Sequence, residues 1–266
     1  MDDAGDKSSQ RFRISLSHWL WWLTITALLL AVHREDMADR SPLSLRSNPT
    51  LAAQYRLFWT LQGAANLAVV PFHAIAICTL GLTTWRLRRL QYDFPVYPGH
   101  WLLVCLGAYI LSHEIAWLIW KYIVLPRWDN PELSPQELEP LWLLNHLLLE
   151  TISFVIALLV LVVADCRIQA VIRWRAVFWL LTVAASAFAG VGCLSAMGFQ
   201  FFGITNWFEF VGRCLIPVAA FAISMNMVID CFLKPKPDAL HFLGAVVALA
   251  AAIHSTMWHV ALRILF

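Results

Sequence analysis

Seven stretches of this chain are apolar over about 20 residues or more: roughly 14–33, 57–85, 99–124, 141–164, 176–199, 207–232 and 241–266. A helix of about 20 such residues crosses the ~30 Å hydrocarbon core of a bilayer. The runs are continuous and lack a two-residue alternation, so they read as helices and not as barrel strands. The expected fold is all-α, a polytopic transmembrane bundle of about seven spans. It forms a single transmembrane domain over residues 1–266, with no soluble domain.

Composition points the same way. Apolar residues make up 60% of the sequence and charged residues 14%, where soluble domains carry about a quarter charged residues. A chain so poor in charge cannot cover itself in water, which excludes an ordinary soluble globule and a disordered chain. Its 19 basic residues nearly cancel 17 acidic ones to leave +2. A nucleic-acid binder needs a basic stripe, so nucleic acid is excluded as a partner. The partners expected are the lipid bilayer and the other subunits of a membrane complex.

Basic loop residues set the orientation of such a bundle. Eleven (Lys7, Arg11, Arg13, Arg86, Arg88, Arg89, Arg167, Arg173, Arg175, Lys234 and Lys236) fall on one side, against eight on the other, where acidic residues accompany them. The N-terminus is therefore expected in the cytoplasm and the C-terminus outside. The first run follows Arg11 and Arg13 but lacks a small-x-small cleavage pattern after it, and reads as an uncleaved anchor. With no other targeting signal, a bacterial-type plasma (inner) membrane is the expected compartment. The six cysteines form no CxxC pair and are expected to pack rather than to bind metal or form a disulfide framework.

Ionisable side chains at membrane depth are costly and mark candidate sites. Measured along their helices from the outer boundary, His146 and His259 lie about 8 and 10 Å deep. Glu150, Glu114, His113 and His254 follow at about 14, 15, 16 and 18 Å, and His73 at about 24 Å. Imidazole and carboxylate from several helices thus enter the outer half of the bilayer. His113, Glu114, His146, Glu150 and His259 are candidate metal ligands, with His146 and Glu150 one turn apart on one helix. His113 with His254, and His146 with His259, are level enough to pair as haem ligands. A Glu/His chain can also carry protons.

Bland roles compete with these. A buried histidine often serves as a hydrogen-bonded core residue, and polar groups between spans act as glue worth about 0.6 kcal/mol each. Glu209 and Arg213, four residues apart, are expected to form a local ion pair. His254 and His259 differ by about 140° in direction, so a straight helix cannot aim both at one ion. The face of His259 also carries Gly244, Ala248, Ala252 and Ser255, a track suited to close helix packing.

Two seven-span families offer patterns for comparison. The adiponectin-receptor and ceramidase hydrolases carry Ser-x-x-x-His early and His-x-x-x-His in the last span; here Val69 precedes His73 in place of the serine, and the last pair has the wrong spacing. Tyr97-Pro98-Gly99-His100, Ser112-His113-Glu114, Leu143-Leu144-Asn145 and Trp258-His259 each resemble short pieces of subunit III of haem-copper oxidases, but the sixth-span histidines of that family are missing. The sequence is assigned to neither family. It is read as a redox-associated or accessory membrane subunit whose outer-half His/Glu cluster binds a metal ion, haem or protons. A small-solute or proton-coupled transporter and an intramembrane metal-dependent hydrolase are the alternatives.

Overall fold

The computed structural model describes residues 16–33, 49–89, 95, 97–124, 140–141, 143–144, 147, 151–167, 172–197, 202–232 and 238–265. Among them the chain is helical with no strand. Seven α-helices follow in order: α1 Leu16–His33, α2 Pro49–Arg89, α3 Pro98–Ile119, α4 Ser153–Arg167, α5 Ile172–Ala196, α6 Phe202–Phe232 and α7 Ala239–Leu265. A π-helical turn, Trp120–Val124, extends α3. Five helices are long and apolar enough to cross a membrane, over Gly63–Leu82, Pro98–Val124, Ile172–Ala196, Gly203–Phe232 and Ala239–Thr256. The apolar part of α1, Ser17–Val32, is shorter.

Helix ends depart from the apolar runs where local chemistry extends or stops the helix. α2 continues to Arg89 and α5 begins at Ile172, so Arg173 and Arg175 are helical residues and not loop. α6 begins at Phe202, taking in Thr205 and Asn206, which hydropathy alone assigned to a connection. α3 starts with Pro98, which suits the first helical position because its missing N–H would have had no partner there. α2 and α6 run helical through Pro71 and Pro217. Beside the first of these, the indole of Trp22 donates to the Pro71 carbonyl at 2.8 Å and ties α1 to α2.

α3 lies against α2, α4 and α7; α5 packs against α4 and α6; α7 touches α2 and α6; and α1 rests on α2. The largest core collects Trp101, Leu102 and Cys105 of α3 with Leu161 of α4, Trp174 and Phe178 of α5, Ile223 of α6 and Ala245 of α7. A second joins Ala76, Leu103, Ile110 and Val247 across α2, α3 and α7. Helices in lipid gain little from hiding apolar surface, so close backbone approach and polar links hold them. Gly107 shows the first device: a Cβ there would lie 2.4 Å from the carbonyl oxygen of Ala76.

Candidate functional site

Two polar constellations stand out, one at the helix ends and one inside α3. The first gathers where α3, α5 and α7 begin and α6 ends. Gly99 and Gly244 let α3 and α7 touch backbone to backbone: a Cβ on Gly244 would lie 1.9 Å from the Gly99 carbonyl oxygen. Across this contact α7 caps α3, and α3 in turn holds the residue that caps α7. The Tyr97 side chain makes no capping bond to α3, and the free Gly99 N–H donates instead to Nδ1 of His241, on α7, at 3.0 Å. Asp238, at the N-cap of α7, accepts the His241 backbone N–H at 2.9 Å. The same oxygen of Asp238 lies 2.8 Å from Nε2 of His100, on α3. Asp is among the best N-cap residues because its carboxylate satisfies first-turn donors.

Asp230, in the last turn of α6, draws in α5 and α7. Its Oδ2 accepts the indole N–H of Trp174 at 2.9 Å and lies 3.0 Å from Nε2 of His241. Its Oδ1 accepts a hydrogen bond from Arg173. Asn226, one turn earlier, donates to the Arg173 carbonyl at 3.4 Å. His100, Trp174, Asp230 and His241 are all buried. The Gly99 N–H can only donate, so Nδ1 of His241 is an acceptor and the ring hydrogen sits on Nε2, facing Asp230. A neutral imidazole in that tautomer satisfies both partners. Tyr97 and Trp174 pack edge-on to the ring, with centroids at 5.9 and 5.3 Å.

The carboxyl of Asp238 is held below the ordinary carboxylate range. Burial pushes its pKa up, but the His100 hydrogen bond and charge, together with the His241 backbone N–H, outweigh that effect.

The second constellation lies inside α3. Glu114 is buried and His113 partly so. The His113 ring stacks nearly parallel to Tyr109, with centroids 6.0 Å apart. Tyr109 also meets Phe154 of α4 at 5.2 Å, and Ser153 beside it is buried. His254 lies on α7, where its Nε2 is 3.1 Å from Oδ1 of Asn66 on α2. Glu209 and Arg213 form the local ion pair that their spacing predicts. His146 and Glu150 lie outside the described residues, as does the side chain of His259. Among the described residues no group of three His, Cys, Asp or Glu side chains is arranged to hold a metal ion.

Sequence reasoning passed over the helix-end cluster because depth was measured from the opposite boundary: Asp230 and His241 sit at the far ends of the runs 207–232 and 241–266, and Asp238 falls in the connection between them. A signal was present. Asn226 and Asp230 share a face at the end of an apolar run, and Asp238 with His241 has the spacing of an N-cap and its third residue.

The fold and the two constellations define an all-helical protein with helices suited to crossing a membrane. No family model, curated protein or solved structure matches this chain.

Proposed function

We propose that this chain is an accessory, redox-associated subunit of a membrane complex. In this reading His113 and Glu114, with His146, Glu150 and His259, bind a cation inside the membrane: a transition metal, the iron of a haem, or protons. The observation that carries it is Glu114, a carboxyl group buried within a span-length helix and next in sequence to His113, whose ring stacks on Tyr109. A carboxylate in that position is neutralised by a proton, by a bound positive charge or by pairing with a neighbouring side chain, and the first two are what this reading assigns to it. Imidazole and carboxylate together suit zinc, iron or copper. His113 and His254 remain the alternative pair for haem. The bias of basic residues puts the N-terminus in the cytoplasm in this reading, and a bacterial-type plasma membrane is the compartment it assumes.

Metal analysis and an optical spectrum of detergent-purified protein test this reading, with a His113→Ala/His146→Ala variant alongside. A Soret band or near-stoichiometric zinc, copper or iron, lost in the variant, supports a metal or haem site. A colourless, metal-free preparation leaves protons. If proton uptake on a pH step is then unchanged in Glu114→Gln, the reading fails, and proton-independent transport or a structural role replaces it.

A further inference from the structure

The outer face of α5 carries an open groove of about 640 Å³, walled by Ala176, Trp179, Leu180 and Val183 of α5 with Leu215 of α6, and with Arg175 at one end. The α5 residues recur at three- and four-residue spacing, so they form one stripe along the helix. The volume falls within the roughly 300–1,000 Å³ typical of small-molecule sites. We propose that this groove binds one phospholipid with an anionic headgroup, its phosphate on Arg175 and an acyl chain along the stripe.

Depth, charge and side-chain chemistry each fit that occupant. Val183 lies eight residues beyond Arg175, about 12 Å along the helix axis. One leaflet of hydrocarbon is about 15 Å thick, so the stripe covers most of one leaflet's depth. Arg175 sits in the first turn of α5, at the helix ends where the sequence collects its basic residues, and is half exposed. Its Nε donates to Asp165 of α4 at 3.3 Å, a bond that engages one of the five guanidinium N–H donors. A planar fork of this kind matches phosphate geometry. Arg167, exposed in the last turn of α4, makes the local balance positive: two arginines against Asp165. Trp179, 58% exposed one turn below Arg175, has the amphipathic ring that favours the headgroup boundary.

The test is native mass spectrometry of the delipidated full chain, titrated with phosphatidylglycerol and with phosphatidylcholine of identical acyl chains. One phosphatidylglycerol is expected to be retained at least tenfold better than phosphatidylcholine. Arg175→Gln should remove that preference, and Val183→Trp, which fills the groove from a lipid-facing position, should lower retention of both. Glycerophosphate, which has the headgroup but no chains, should not compete. Equal retention of the two lipids, an unchanged preference in Arg175→Gln, or full competition by glycerophosphate would each overturn the proposal.

Discussion

His241 stands between two helices with both ring nitrogens engaged: Nδ1 accepts the Gly99 N–H of α3 at 3.0 Å, and Nε2 lies 3.0 Å from Asp230 of α6. The ring thereby supplies the cap that Tyr97 does not give to α3. Replacement by alanine would leave a buried N–H and a buried carboxylate short of one partner each. Unsatisfied groups of this kind cost about 1–3 kcal/mol. His241→Ala is expected to lower the unfolding temperature in detergent, and ¹⁵N NMR of the native ring should show the neutral Nε2–H tautomer at pH 7. An imidazolium signal there would contradict the assignment.

Asp230 is the hub of the same cluster, accepting from Arg173 and Trp174 as well as facing His241. Removing one member of a buried ion pair costs about 3–5 kcal/mol, since the other charge stays without compensation. Arg173 is about one-fifth exposed, so the expected loss for Asp230→Ala is at the low end, about 3 kcal/mol. Chemical denaturation in lipid nanodiscs measures it. The double variant Asp230→Ala/Arg173→Met should recover part of the loss.

Glycines in these helices separate by what surrounds them. Gly244 faces the backbone of Gly99, whereas Gly190 has nothing within 4 Å of a built Cβ. Overpacking costs about 1–3 kcal/mol, so Gly244→Ala should destabilise the α3–α7 contact. Gly190→Ala should be neutral or stabilising by up to about 1 kcal/mol, the helix-propensity difference. Parallel thermal melts of the two variants compare them directly, and equal losses would contradict the account.

Acid should loosen the same junction. The pKa of Asp238 is depressed by folding, so its contribution is complete above the ordinary carboxylate pKa and is lost as pH falls through the lower folded value. Unfolding midpoints measured from pH 6 downward should therefore fall less steeply for Asp238→Asn than for the native chain.

The sequence's long apolar runs mark where the helices lie, because lipid admits little else. The run at 99–124 matches the span Pro98–Val124, and that at 207–232 lies within α6. End positions shift because capping and the arginines of α5, not hydropathy, decide where a helix starts. Glu114 was readable as a charged residue at depth. The cross-capping of α3 by His241 was not, since it joins residues 142 apart in sequence, and the order of helices in a bundle leaves no periodic trace.

The central claim, that Glu114 is part of a cation site within the membrane, is tested most directly by infrared difference spectroscopy of the reconstituted protein. Spectra are recorded on a pH step and on addition of zinc, iron or haem. A carboxyl band that responds to one of these and is absent in Glu114→Gln is the expected result. A spectrum in which no Glu114-dependent band responds to proton, metal or haem would contradict the claim.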